Sequence, residues 1–112
     1  MSLTINETAE QPSAAAASPT AIAAALAERF AHTAAARDLA GGTPKAERDL
    51  LRASGLLSLS IPKEYGGLGA SWAETLAVVR QLTRVDSSVG HVFAFHHLQL
   101  ASVRLFGQPA QW

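Results

Sequence analysis

The sequence has 112 residues, with nine Lys and Arg against nine Asp and Glu, and it contains no cysteine. The lack of cysteine excludes disulfides, iron–sulfur clusters and thiolate zinc sites, and the balanced charge argues against nucleic-acid binding. The chain has no apolar run of the roughly 18 residues that a spanning helix needs and no signal-peptide pattern, so we expect a cytoplasmic protein that binds neither nucleic acid nor membrane.

The first 18 residues differ in composition from the rest of the chain. They are polar or small apart from Leu3 and Ile5, and Pro12 interrupts them. Such a segment buries too little apolar surface to offset the entropy lost on ordering. The sequence therefore predicts a disordered leader over residues 1–18 and a helical domain over residues 19–112.

Two helices follow the leader. Ser18 and a proline at the first helical position predict the start of helix one, which extends over about 19–39 and stops at a Gly-Gly pair. Thr43 and the proline after it repeat this start signal for a shorter second helix, and Gly55 stands where a left-handed C-terminal residue is expected.

A turn-rich segment connects the second and third helices. Its apolar residues alternate, which is typical of a short strand or extended segment: Leu57, Leu59 and Ile61. The glycines that follow allow tight turns, and a phosphate-binding loop is the alternative. Because no Lys-Ser/Thr pair follows the glycines, we favour a packed connection in which Tyr65 buries its ring.

The third and fourth helices have clear start signals. Ser71 and Glu74 form a capping box for a helix that continues to about Arg84. Asp86 can cap a fourth helix over residues 87–106, which Gly107 closes. The proline at 109 indicates one turn of a further helix, so we expect an N-terminal piece of a longer protein.

The fourth helix carries large apolar residues around most of its circumference, which predicts that it is largely buried. The remaining strip is small or polar: Ser87, Gly90, His91, Ala94, His97, Ala101 and Arg104. Small residues allow a close approach, and polar residues can form hydrogen bonds. A ligand, a second protein segment or solvent could face this strip.

Several motifs together resemble the N-terminal helical domain of acyl-CoA dehydrogenases and their flavin-dependent relatives. They are the segment IPKEYGGLG at 61–69, the helix junction RVDSS at 84–88 and the Phe-Gly pair at 106–107. The resemblance covers about residues 21–112. Within the family, the doublet His96-His97 before Leu-Gln-Leu is most similar to the flavin monooxygenases that act on organosulfur compounds, the dibenzothiophene-monooxygenase-like and sulfone-degrading sulfur-acquisition enzymes.

The resemblance implies an all-α, up-and-down domain of the acyl-CoA dehydrogenase fold, truncated after its fourth long helix. In the family a middle β-domain and a C-terminal helical domain complete the flavin site, and the enzymes form homotetramers. The monooxygenase branch receives reduced FMN from a separate flavin reductase and oxygenates sulfur. The dehydrogenases use FAD and a carboxylate base far downstream, which no residue of this chain supplies.

We therefore interpret the chain as part of an FMNH2- and O2-dependent monooxygenase of small organosulfur compounds such as sulfones, and we expect the piece alone to be inactive. One alternative is a fragment of an FAD-dependent acyl-CoA dehydrogenase. Another, from a different class, is a free-standing helical interaction module without catalysis.

The candidate site residues lie on the fourth helix. By resemblance, the wall of the dehydrogenase substrate pocket maps onto Gly90, His91, Ala94 and Leu98. Imidazole can form hydrogen bonds and exchange protons near neutral pH, so His91 and His97 are the catalytic candidates, each about 60° around the helix from Ala94. His96 points to the far side and is kept as a substrate-binding candidate. For each histidine, a hydrogen-bonded core position is the alternative.

The sequence does not predict a metal site. Adjacent histidines on a helix diverge by about 100°, and no His-Glu-x-x-His pattern is present. The cofactor-binding residues cannot be assigned from the sequence.

Overall fold

The computed structural model describes residues 17–112, and in that part of the chain the regular structure is entirely helical. Four α-helices, α1 (Pro19–Ala40), α2 (Lys45–Ser54), α3 (Trp72–Val85) and α4 (Ser87–Phe106), are accompanied by three short 3₁₀ turns, Leu56–Ser58, Lys63–Tyr65 and Pro109–Gln111. The predicted leader, residues 1–18, lies outside the described residues except for its last two positions.

The helix starts confirm most of the local predictions. The Ser18 hydroxyl accepts a hydrogen bond from the amide of Ala21 at the start of α1. Ser71 and Glu74 form the reciprocal capping box of α3. The Asp86 carboxylate accepts from the amide of Val89 at 3.1 Å and so caps α4. These contacts form within three residues, which is why the sequence alone is sufficient to predict them.

Two local predictions are wrong. Helix α2 has Pro44 as its N-cap and no capping side chain, so Thr43 does not act as the predicted cap. The apolar residues after Gly55 form a 3₁₀ turn rather than an extended segment. The chain enters this turn through Gly55, whose φ of +85° is a left-handed conformation that favours glycine, and the tight turn buries Leu56 and Leu59 on the same side.

The hydrophobic core lies between α1, α3 and α4. Helix α1 packs against α3, and α3 packs against α4. The 3₁₀ turn after α2 closes the core from one side with Leu56 and Leu59, neither of which is accessible to solvent. The other core residues are Ala23, Leu26, Ala27, Phe30, Leu51, Val78, Leu82, Val89 and Phe93.

Helix α4 is less buried than its composition predicts. Its buried residues are confined to one side, namely Val89, Gly90, Phe93 and His97. Several of its large apolar side chains are about half exposed or more: Val92, Phe95, Leu98, Val103, Leu105 and Phe106. Two residues of the small and polar strip, Gly90 and His97, therefore lie on the inner side of α4, where α3 and the 3₁₀ turn contact the helix.

An ion-pair network connects α1, α2 and the start of α4. The Arg37 guanidinium lies 2.6 Å from the Asp86 carboxylate and 3.2 Å from that of Glu47. It also donates a hydrogen bond to the Phe30 carbonyl. Since Asp86 caps α4 with its other carboxylate oxygen, Arg37 fixes the position at which α4 begins relative to α1.

Candidate functional site

The exposed side of α4 combines an imidazole with large apolar groups. Residues His91, Phe95 and Leu98 lie within about 60° of one another around the helix, and all three are exposed. The rings of His91 and Phe95 are in contact, with centroids 4.7 Å apart and an interplanar angle of 35°. We call the surface formed by His91, Ala94, Phe95 and Leu98 the α4 outer face.

Gly90, predicted to bind substrate, lies on the inner side of α4. It is buried, and a Cβ atom built on it would lie 2.7 Å from the Cα of Thr83 and even closer to the Thr83 hydroxyl. The small residue at this position thus permits a close approach of α3. Of the three neighbours that the sequence left open for the strip, a second protein segment is the one that faces Gly90.

His97, predicted to be catalytic, is also on the inner side and is 1% exposed. Its Nε2 lies 3.0 Å from the Leu56 carbonyl oxygen, and its Nδ1 lies 2.6 Å from the Ser60 hydroxyl. Both ring nitrogens are therefore bonded within the chain. Burial lowers the pKa of His97 below its ordinary value, the hydrogen bond to Leu56 opposes this change, and the neighbouring His96 adds to it.

His96, predicted to bind substrate, is half-buried next to the same segment. Its Nε2 lies 2.6 Å from the carbonyl oxygen of Leu57. The rings of His96 and His97 meet edge to face, with centroids 4.9 Å apart. The histidine doublet thus bonds to the backbone of the 3₁₀ turn with both of its members.

A groove of about 620 Å³ runs beside the C-terminal half of α4. Arg104 lines it, with the guanidinium 4.5 Å from the Trp112 ring centroid and 5.6 Å from that of Tyr65. Its lining is mostly apolar: Ser60, Ile61, Pro62, Tyr65, Ala70, Trp72, Leu100, Ala101, Val103, Arg104, Gln111 and Trp112. Tyr65 is 46% exposed, so the prediction that its ring is buried is wrong.

The glycine-rich turn does not present free amides to a phosphate. The amide of Gly66 donates to the Lys63 carbonyl, that of Gly67 to Pro62 and that of Gly69 to Ile61. The turn is closed further by bonds from Leu68 to Ser58 and from Ala70 to Leu59. Because these donors are used inside the turn, the packed-connection interpretation accounts for it better than a phosphate loop.

Two negative findings apply to residues 17–112. No three His, Asp or Glu side chains in this part of the chain are grouped so that they could hold a metal ion. None of the described helices is long and apolar enough to cross a membrane.

The structure thus divides the predicted site residues into two groups. His91, Ala94 and Leu98 share the α4 outer face, whereas Gly90 and His97 face α3 and the 3₁₀ turn. Phe95 is one of the large apolar residues from which the fourth helix was predicted to be largely buried, but it is exposed and contacts His91. The signal was present in the spacing, because residues four apart on a helix are neighbours.

Comparisons with known proteins identify the family. Residues 15–112 match the family described as acyl-CoA dehydrogenase, N-terminal domain. A probable FMNH2-dependent monooxygenase of Pseudomonas putida is 67% identical over 92 residues, which are 82% of this chain and 23% of that protein.

Two solved structures show the same fold. The methanesulfinate monooxygenase of Pseudomonas fluorescens matches with a TM-score of 0.84 and 66% identity, over 86% of this chain and 25% of that one. The dibenzothiophene monooxygenase of Paenibacillus sp. A11-2, in a complex with FMN and indole, matches with a TM-score of 0.80 and 46% identity, over 82% of this chain and 23% of that one.

The match covers most of this chain and about a quarter of each relative. It confirms the predicted resemblance and the all-α fold class. The chain belongs to the family of acyl-CoA dehydrogenase N-terminal domains.

Proposed function

We propose that the chain forms the N-terminal helical part of a monooxygenase that uses reduced FMN and O2 to oxygenate a small organosulfur compound. The observation that carries this proposal is the α4 outer face, where an exposed imidazole contacts an aromatic ring on an otherwise apolar surface. The relatives named above, which include a methanesulfinate and a dibenzothiophene monooxygenase, support the choice of reaction.

The residues of the α4 outer face fit one wall of a flavin and substrate pocket. Phe95 is 48% exposed and Leu98 is 47% exposed, and together they offer an apolar surface for a planar ring system or a methyl-sulfur group. The glycine turn, whose amides are already bonded, does not fit the phosphate of FMN.

Reduced FMN, when bound, supplies the two electrons that activate O2, so that one oxygen atom is transferred to sulfur and the other leaves as water. The residues of this chain exclude water and orient the substrate. Phe95 and Leu98 keep the pocket wall apolar, which strengthens hydrogen bonds made inside it. His91 can donate a hydrogen bond to an oxygen of the substrate or exchange a proton with it.

The remaining predicted residues have weaker positions in this proposal. A catalytic role for His97 stays a prediction, and it would require His97 to break its bonds to Leu56 and Ser60. Substrate binding by Gly90 and His96 also stays a prediction, since Thr83 and Leu57 contact them in the described structure. Ala94, which is half-buried beside His91, remains a candidate for the pocket wall.

The proposal extends to partners and location. A flavin reductase would supply reduced FMN, the complete enzyme would be a homotetramer in the cytoplasm, and neither nucleic acid nor membrane would be a partner. This piece alone would be inactive, because most of the flavin site would lie outside it.

A chimera tests the proposal. Residues 17–112 of this chain replace the matching segment of the Pseudomonas fluorescens methanesulfinate monooxygenase, and turnover of methanesulfinate is measured with a flavin reductase, FMN and O2. We expect the chimera to be active and His91→Ala to lower the turnover about 100-fold or more, the size of a general acid–base contribution. His91→Asn keeps a donor but cannot carry a proton, so it separates hydrogen bonding from proton transfer.

The matched control is His32→Ala, which removes an exposed histidine from α1. An active chimera in which His91→Ala and His32→Ala behave alike would refute the role of His91. A chimera whose flavin is reduced by an acyl-CoA thioester, with no oxygenation of the sulfinate, would favour the dehydrogenase alternative instead.

A further inference from the structure

The histidine doublet on α4 is a clamp on the backbone of the preceding segment. A carbonyl oxygen can only accept a hydrogen bond, so the Nε2 of His97 donates to Leu56 and the Nε2 of His96 donates to Leu57. In the neutral ring the Nδ1 of His97 then carries a lone pair, to which the hydroxyl of Ser60 donates at 2.6 Å. These bonds define one neutral tautomer of His97 in which each ring nitrogen has a partner.

The clamped segment is also one wall of the groove. Ser60, Ile61 and Pro62 line it on one side. On the other side the lining includes Leu100 and Ala101, which are three and four residues after His97 on α4. Because the clamp lies one helical turn from this lining, it determines the distance between the two walls.

We propose that His97, assisted by His96, is a positioning residue that sets the width of this groove, and that protonation of His97 releases the groove wall formed by Ser60, Ile61 and Pro62. This role does not depend on the proposed monooxygenase function. In this role the two histidines hold the groove wall in place and do not contact a substrate.

Burial of the ring, rather than loss of a hydrogen bond, explains why a proton would open the clamp. Cationic imidazole has two N–H donors and no acceptor, so the hydroxyl of Ser60 must turn from donating to accepting at Nδ1, while Nε2 still donates to Leu56. The added charge would be placed on a ring that is 1% exposed, which is unfavourable without a counter-ion. Protonation of both His96 and His97 would also bring like charges within 4.9 Å, measured between ring centroids.

Among residues 17–112, no carboxylate is one of the groups that act on the charge of His97. The 3₁₀ turn at 56–58 has no ionisable side chain, and His96 is the titratable group in contact with the ring. Arg104 lies two helical turns away and stacks on Trp112 and Tyr65. On the adjoining elements, Glu47 of α2 is partly buried and pairs with Arg37. The other ionisable side chains there are exposed: Lys45, Arg48, Asp49 and Arg52 on α2, Lys63 and Glu64 in the following turn, and Glu74, Arg80 and Arg84 on α3.

The chain contains its own reporters of the groove. It has two tryptophans, and both Trp72 and Trp112 line the groove. Trp72 is 48% exposed and Trp112 is 43% exposed, so release of the wall would expose the part of each indole that is still covered, and the tryptophan emission of the 112-residue chain would follow the groove. Far-UV circular dichroism, recorded on the same samples, follows the helices separately.

The experiment titrates the 112-residue chain from about pH 8 to about pH 5, the range in which histidine changes its charge. We expect a red shift of tryptophan emission that follows one proton, is complete below the ordinary pKa of histidine and leaves the helical signal unchanged. His97→Gln keeps a donor for Leu56 and cannot titrate, so it should keep the high-pH emission throughout. His97→Phe fills the volume without hydrogen bonds and should show red-shifted emission at every pH, and His32→Gln is the matched control.

Nitrogen NMR of the unmodified chain gives a second measurement that needs no variant. At high pH it should find His97 protonated at Nε2 and not at Nδ1. Emission profiles that are the same for the unmodified chain and His97→Gln would overturn the proposal. So would a His97 that carries its proton on Nδ1, or one whose pKa is not lowered from the ordinary value of histidine.

Discussion

Gly90→Ala tests the packing of α3 against α4 more sharply than any other single substitution. A Cβ on Gly90 would lie 2.7 Å from the Cα of Thr83 and 2.9 Å from its Cβ. Carbon atoms in ordinary contact are about 3.5–4.0 Å apart, so the two helices must separate by about 1 Å. The nearest obstacles include backbone, which cannot turn aside as the end of a long side chain can.

The magnitude follows from two opposing effects. Overpacking of a well-packed interface costs about 1–3 kcal/mol, whereas alanine in place of glycine inside a helix stabilises the helix by about 1 kcal/mol. The separation also loosens the contacts of Val78, Leu82 and Phe93, which are at most 1% exposed. We therefore expect Gly90→Ala to lower the free energy of unfolding by up to about 2 kcal/mol.

Urea denaturation of the 112-residue chain, followed by circular dichroism, measures this change. Thr83→Ala removes the hydroxyl, which is the atom nearest to the new Cβ, and keeps the Thr83 Cα and Cβ, so in the double variant it should restore part of the lost stability. Ser102→Ala, at an exposed position of the same helix, is the matched control and should change stability by no more than about 0.5 kcal/mol. The reasoning is refuted if Gly90→Ala stabilises the chain, as it would for a glycine that lines an open pocket.

Three other predictions concern the contacts that fix the helices and their response to pH. Arg37→Met should destabilise the chain by about 1–3 kcal/mol, because it leaves the nearly buried carboxylate of Asp86 without its partner; the denaturation midpoint measures the loss. Ser71→Ala removes the side-chain acceptor for the amide of Glu74 and should cost about 1 kcal/mol in the same assay. The lowered pKa of His97 means that the unfolded chain binds a proton at this residue more readily than the folded chain does. The stability that neutral His97 contributes is therefore complete above about pH 6.5 and is lost as the pH falls from there towards the folded pKa. Denaturation midpoints should fall with pH across this range in the unmodified chain and not in His97→Gln.

Exposed ion pairs and exposed hydroxyls provide the controls for these variants. Lys45→Ala removes a surface pair on α2 and should leave the midpoint nearly unchanged. If Lys45→Ala lost as much stability as Arg37→Met, the ion-pair network of Arg37 would stabilise the chain no more than an exposed pair does. An effect of Ser71→Ala no larger than that of Ser102→Ala would contradict the capping argument.

The amino-acid sequence by itself determined where the helices begin and end. Ser18, Ser71 and Asp86 were predicted as caps, and each makes its predicted bond. Such bonds join residues that are three positions apart, so no knowledge of the remaining chain is needed to predict them. Thr43 is the exception, since the chain there turns at Pro44 without using the hydroxyl.

The sequence was also sufficient to identify the family, because the motifs at 61–69, 84–88 and 106–107 occur together in a fixed order. The same periodicity pointed to a strip of small and polar residues on α4. That this strip borders a ligand cavity stays a prediction; in the described structure Gly90 contacts Thr83, and His97 contacts Leu56 and Ser60. His91 remained on the exposed side with Phe95.

Only the tertiary structure decided whether a ligand, another part of the chain or solvent lies against each side of α4. Helical periodicity separates the faces of a helix, but it is the same whether the approaching group is a ligand, another helix or solvent. The contacts of Gly90 and His97 join segments 7 to 41 residues apart along the chain, and such contacts depend on how whole elements pack. For that reason the helices were encoded locally, whereas the roles of the histidines on α4 were set by what packs beside them.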